Sequence, residues 1–305
     1  MLVVALAAAA LMATALLRMD RVDVDGLTWM GPTQANVLVA GTDAREGFTD
    51  DQAAEIGAGE VEGERADTLF IMAVDGTDVG VLALPRDLYV TLCDGTQGRI
   101  NAATTRPGGP SCLVQTVSDL TGLRISHYLE LDLAGFVDLV DAIGGVEMTL
   151  DEPIRDERAN ADLPAGRQRM DGAEALSFVR VRAIDDDLGR IGRQQEFVQA
   201  LGRELMSPSV LLNPVRLGRA AWEGGDALVV NRWFGPLGTA QLGLASRGMG
   251  EGMPSYIVPS TPQTIGGAAV LVPEQGPAGE LFASFRDRSA LDEEPGETTL
   301  PGADP

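Results

Sequence analysis

His127-Tyr-Leu-Glu-Leu-Asp-Leu-Ala-Gly-Phe-Val-Asp-Leu-Val-Asp-Ala-Ile-Gly-Gly-Val-Glu-Met-Thr-Leu150 changes its hydrophobic period twice in 24 residues. His127 to Leu131 reads as a strand. Asp132 then caps a helix whose apolar positions Phe136, Leu139, Val140 and Ile143 recur at i, i+3, i+4 and i+7. Gly144-Gly145 stops that helix, and Val146 to Leu150 is strand-like again. Strand, helix and strand in immediate succession favour an α/β fold, here a three-layer α-β-α sandwich around a central mixed sheet.

The same alternation extends in both directions. Asn36 to Gly41, Thr68 to Val74 and Val79 to Leu84 are apolar strands, the last two joined by a tight Asp75-Gly76 turn. Their interiors are apolar while charge collects at their ends: Asp43 and Arg45 after the first, Arg65 and Asp67 before the second, Arg86 and Asp87 after the third. Strand ends are where open α/β sheets place ligands. Residues 46–64 are acidic and rich in glycine and alanine, and read as a mobile loop. Ser111 reads as the N-cap of a helix carrying Leu113, Val114, Val117 and Leu120, ended by Gly122. Further on, Asp171 and Glu174 form a capping pair.

Ser177 to Gln194 holds Arg180, Arg182, Arg190 and Arg193 in a chain of net charge -22; the segment 167–203 is +1 and the remainder -23. Guanidinium forks match phosphate oxygens two at a time, so an arginine cluster suits a phosphate. A helix starting near Gly189 would carry Arg190 and Arg193 in its first turn, against its own dipole unless an anion is bound there. A lattice of arginines and aspartates paired only with each other explains the composition equally well. Beyond Pro208 the pattern weakens to helices at Pro214–Trp222 and Gly235–Leu244, a strand at Ser255–Pro259 and an acidic Pro/Gly-rich tail, 286–305, expected to be disordered.

Composition narrows the partners. All 23 basic residues are arginine, against 45 acids, and the pI near 4.3 argues against a nucleic-acid partner. The one histidine, His127, stands among apolar and aromatic residues and reads as structural. Met1 to Leu17 is apolar, with Arg18 and Arg21 behind it; it reads as a signal-anchor (1–18), with a cleaved signal peptide as the other possibility. A stalk (19–35) would then lead to one extracytoplasmic domain (36–285). In that oxidising compartment Cys93 and Cys112 are expected to pair.

Five segments together resemble the LytR-CpsA-Psr family: Gly41-Thr-Asp-Ala-Arg45, Arg65-Ala-Asp-Thr68, Leu84-Pro-Arg-Asp87, Arg99-Ile-Asn-Ala-Ala103, and the arginine stretch with Asp187-Leu-Gly-Arg190 and Arg193-Gln194. The Val-Asp-Ala-Ile-Gly-Gly-Val ending of Phe136 to Val146 is similar too. The resemblance implies a membrane-bound phosphotransferase that moves a glycopolymer from a polyprenyl-diphosphate carrier to peptidoglycan. It implies Asp43 and Asp67 as ligands of Mg2+ or Mn2+, with Asp67 or a neighbouring carboxylate as base. Arg65, Arg86, Arg99, Arg180, Arg182, Arg190, Arg193 and Gln194 would contact the diphosphate, supported by Asp87, Asn101 and Asp187. Arg99 replaces the lysine of many relatives, which keeps the charge and changes donor geometry. The glycopolymer is left open among arabinogalactan, teichoic acid and capsular polysaccharide. A diphosphate hydrolase and a non-catalytic envelope binder are the competing readings.

Overall fold

The computed structural model describes residues 13–42, 66–157, 159–181, 187–249 and 253–292. The chain divides into two compact units, one centred on residues 131–229 and the other on 21–43, 64–130 and 230–305.

The second of these contains most of a seven-stranded sheet. Its strands are β1 (Asp20–Val22), β2 (Gln34–Thr42), β3 (Ala66–Asp75), β4 (Asp78–Ala83), β7 (His127–Asp132), β12 (Leu228–Asn231) and β13 (Ser255–Ile257), in the order β1-β12-β7-β2-β3-β4-β13. β2, β3 and β4 are antiparallel neighbours and β13 is parallel to β4, so the sheet is mixed. Helices α1 (Pro110–Thr121) and α8 (Gln275–Arg286) cover one face, where Leu113, Val117, Phe282 and Phe285 join Leu38, Ile71 and Leu82 in one core. Each such fully buried side chain contributes about 1.5–3 kcal/mol. Val37, Val39, Met72 and Val81, of opposite parity, are buried too, and a helix at Pro236–Met249 packs on β3 and β4. Two hairpins complete this unit: β5 (Tyr89–Thr91) with β6 (Gln97–Arg99), and β14 (Ser260–Ile265) with β15 (Ala268–Pro273).

The other unit is mainly helical. It contains α2 (Leu133–Ile143), α3 (Gly172–Arg180), α4 (Asp187–Leu205), a turn of helix at Pro208–Leu211, and α6 (Pro214–Asp226). Phe136, Val140, Leu176, Phe178 and Phe197 form its core, together with Val146, Met148 and Leu150 of β8 (Val146–Leu150). The Asp171 carboxylate accepts from the Glu174 amide at 2.9 Å while Glu174 accepts from the Asp171 amide at 3.1 Å, the expected capping box. Gly145 has φ +85°, and a Cβ there would stand 2.7 Å from the Met170 carbonyl oxygen, so only glycine fits.

Several expectations are corrected. β8 is not in the large sheet; it pairs antiparallel with β11 (Gly166–Met170), and its buried-exposed alternation is that of a strand covered on one face. The stalk is partly integrated, because β1 is the edge strand and Val22, Val24 and Leu27 pack on the sheet core. The first residues of the expected tail are ordered: Ala290 and Leu291 are buried, with Leu291 against Gly80, while 293–305 lie outside the described residues. α1 starts at Pro110 behind Gly109, and Ser111 instead accepts the Asp25 amide at 2.9 Å through its hydroxyl. Among the described residues no helix is long and apolar enough to cross a membrane.

Candidate diphosphate site

Topology brings the sheet-borne motifs to one end of the sheet. β2 ends at Thr42, β3 starts at Ala66 beside it, and the end of β4 is tied to β3 by the Leu84 amide donating to the Leu69 carbonyl at 2.9 Å. The register steps from Gly41↔Thr68 to Thr42↔Ala66, which leaves Asp67 as the extra residue of a β-bulge. Bulges break the ladder locally and re-aim a side chain, and they recur next to active sites.

The chain after β4 builds a small charged cluster. One oxygen of Asp87, Oδ2, lies 3.4 Å from Arg86 Nε, and the other, Oδ1, lies 3.1 Å from Arg99 Nε. Arg99 is fixed further by donating from Nη2 to the Ala269 carbonyl at 2.7 Å. The Asn101 amide donates to the Arg86 carbonyl at 3.3 Å, and the Leu271 amide to the Asp87 carbonyl at 3.0 Å. Asn101 is buried, and the side chains of Arg86 and Asp87 are only about one-fifth exposed. The two guanidiniums flank one carboxylate in a half-buried setting. Such a setting strengthens attraction to an anion relative to open water.

Glu130 is a nearby carboxylate that the sequence reading missed. Thr42 Oγ1 donates to Glu130 Oε1 at 3.0 Å and the buried Tyr128 hydroxyl donates to Oε2 at 2.7 Å. Burial first, then the Glu130 charge and hydrogen bond, push the Tyr128 phenol far above its usual range, so it stays a donor. The available signal was an acid inside a strand, at the end where Thr42 leads into Asp43.

In the helical unit the arginines are placed differently. α3 ends at Arg180, and Val181 is extended (φ -52°, ψ 132°) and buried, so helix geometry does not continue toward Arg182. α4 starts at Asp187 rather than near Gly189, which puts an acid in the first turn, where the dipole favours it, and Arg193 in the second. Arg193 donates from Nη2 to the Val181 carbonyl at 2.8 Å. It also lines a cavity of about 230 Å3 with Asp151, Glu152 and Glu196. Burial, followed by the Asp151 charge, raises the Glu196 carboxyl above its ordinary value, with Arg203 and Arg193 opposing. Asp43, Arg65 and Arg182 lie outside the described residues, as do the side chains of Asp67, Asp187, Arg190 and Gln194.

Cys93 and Cys112 form a disulfide, with Cα atoms 5.2 Å apart. His127 is buried, its Nε2 3.1 Å from Gln241 Oε1 and its ring edge-on to Phe234, as a structural residue would be. Among the described residues no group of three or more His, Cys, Asp or Glu side chains gathers as a metal site.

Comparison with known proteins fits this arrangement. Residues 5–231 match the LytR_cpsA_psr family. A probable cell wall biosynthesis protein, LcpB of Corynebacterium glutamicum, is 38% identical over 88% of this chain and 65% of its own length. A polyisoprenyl-teichoic acid–peptidoglycan teichoic acid transferase, TagU of Oceanobacillus iheyensis, is 33% identical over 56% of this chain and 52% of its own. The chain thus spans about half to two-thirds of the length of these relatives. A LytR-Csp2A-Psr enzyme from Actinomyces oris superimposes with a TM-score of 0.66 at 24% identity, covering 88% of this chain and 96% of the other. That likeness carries the α/β fold, a mixed sheet flanked by helices. With three quarters of its residues matched, the chain belongs to the LytR-CpsA-Psr family.

Proposed function

We propose that the protein is a phosphotransferase that moves a glycopolymer from a polyprenyl-diphosphate carrier to peptidoglycan. The observation that carries this reading is the Arg86–Asp87–Arg99 cluster at the bulged end of the sheet, in a chain of this family. Phosphoryl transfer requires positioning and charge stabilisation of the phosphoryl oxygens more than any other contribution. Arg86 and Arg99 supply charge from a fixed position. An acceptor sugar hydroxyl attacks the phosphorus that bears the glycan. A new P–O bond forms, the P–O–P bridge breaks, and polyprenyl phosphate leaves. Asp67 takes the hydroxyl proton. Arg65, Arg180, Arg182, Arg190 and Gln194 complete the family motif, and on that ground we assign them to the same diphosphate.

Asp43 and Asp67 offer an oxygen-only donor set suited to a hard divalent cation, and residue 67 is the bulge position beside the strand that precedes Asp43 in sequence. They would hold Mg2+ or Mn2+. Such an ion supplies charge neutralisation at the diphosphate oxygens. We place the protein on the outer face of the cell membrane, a reading supported by the disulfide and the apolar start of the sequence. The experiment incubates purified protein with radiolabelled polyprenyl-diphosphate glycan, peptidoglycan and Mg2+. Label moves to peptidoglycan with the wild type and not with Arg86→Ala; equal transfer by both removes the cluster from the reaction.

A further inference from the structure

Within the sheet-bearing unit a groove of about 640 Å3 opens between the two hairpins and the two helices that cover the sheet. Tyr89 and Gln97 reach it from the β5–β6 hairpin, Gln263 from β14, and Gln275, Gly279 and Phe282 from α8. Its volume is in the range of small-ligand sites, about 300–1,000 Å3.

Its chemistry is selective. Among the described residues no arginine lines it and the one charged residue is Asp119, which disfavours a phosphate or an anionic polymer. Three primary amides instead offer two donors and a carbonyl acceptor each. Among the described residues these three side chains have no hydrogen-bond partner within the protein. Gln34 and Gln241 bond to the protein at 2.7 and 2.9 Å. Tyr89 adds aromatic surface, and an aromatic ring presents an apolar face on which the C–H side of a pyranose packs. Amides that bond hydroxyl and acetamido groups, beside an aromatic face and without cations, are the recognition chemistry of an uncharged saccharide.

One hairpin links the groove to the charged cluster. Tyr89 is the register partner of Arg99 in the β5–β6 hairpin, and Arg99 in turn binds the Ala269 carbonyl of β15. The same two hairpins thus hold the Arg99 guanidinium and contribute groove walls.

We propose that this groove binds a neutral saccharide chain of hydroxyl- and acetamido-bearing pyranoses, led toward the Arg86–Asp87–Arg99 cluster. It deepens the transferase reading and rests on it only for the role of the bound sugar, as the acceptor strand. Gly279 provides the test: a Cβ built there meets nothing within 4 Å and its backbone is not in the left-handed region, so Gly279→Trp fills the groove without disturbing the core.

Titration calorimetry on the full chain uses three probes: a β-1,4-linked N-acetylglucosamine hexamer, a neutral arabinogalactan fragment lacking acetamido groups, and geranyl diphosphate. The wild type binds the hexamer, and both Gly279→Trp and the surface variant Gln97→Ala/Gln275→Ala weaken that binding about tenfold or more. Both variants keep geranyl diphosphate binding and the wild-type melting temperature. Preference for the arabinogalactan fragment, which lacks acetamido groups, overturns the assignment of the groove to an acetamido-bearing acceptor strand. Hexamer binding without geranyl diphosphate binding leaves the groove standing and defeats the transferase reading. No saccharide binding by the wild type, or undiminished binding by the double variant, overturns the proposal.

Discussion

Two sets of arginines in this lysine-free chain are put to different uses. At the sheet end, Arg86 and Arg99 share the single carboxylate of Asp87. In the helical unit three guanidiniums have acceptors of their own: Arg167 pairs with Glu147 at 2.7 Å, Arg169 binds the Gly145 carbonyl at 2.8 Å and Glu204 at 3.2 Å, and Arg193 binds the Val181 carbonyl. The local charge reversal that makes 167–203 conspicuous in sequence is therefore largely structural at these three positions. Counting arginines locates charge. Following each guanidinium to its acceptors separates arginines that tie the helical unit together from those gathered beside the strand-end motifs.

Four experiments sharpen this contrast. The largest effect is expected for Arg86→Ala: transfer activity falls about 10²–10³-fold, as for removal of one transition-state donor, with an unchanged melting temperature. Loss of the Cys93–Cys112 disulfide, which spans 19 positions, comes next. In urea titration, Cys93→Ser/Cys112→Ser loses about 3 kcal/mol of stability, because the unfolded chain is no longer cross-linked. Arg169→Ala reverses the pattern of Arg86→Ala. It removes partners of the carbonyl groups that end α2 and costs about 1 kcal/mol in urea titration, with transfer activity retained.

The smallest effect concerns His127. Burial holds its imidazole below the ordinary value of 6.5, against the opposing hydrogen bonds of Gln241 and Asn231. A folded state that resists protonation binds fewer protons than the unfolded chain, so stability is full above about pH 6.5 and declines as the pH falls below it. Melting temperatures from pH 7.5 to 5 should fall less steeply in His127→Gln than in the wild type.

Much of the fold was written in residue types that act locally. The Asp171–Glu174 box, the Gly144-Gly145 stop and the Asp75-Gly76 turn formed as the sequence predicts, since each depends on neighbours within a few positions. Sheet membership was harder to read. Val146, Glu147, Met148, Thr149 and Leu150 alternate as a strand covered on one face, and that signal already separated β8 from the buried strands of the large sheet. β1, β5 and β6 are three residues long, too short to show a period, and β1 is held by β12, far away in sequence. At the site, strand-end placement of Asp67 and Arg86 followed from apolar runs bounded by charge. The bridging of Arg86 and Arg99 by Asp87, and the two hydroxyls on Glu130, join segments up to 88 residues apart and have no local signature.

The central claim is that the Asp87-bridged pair, and not Arg167, Arg169 or Arg193, provides positive charge for a diphosphate. Calorimetric titration of geranyl diphosphate into wild type, Arg86→Ala and Arg169→Ala tests it most directly. Binding should disappear in Arg86→Ala and persist in Arg169→Ala; undiminished binding in Arg86→Ala, or loss confined to Arg169→Ala, would contradict it.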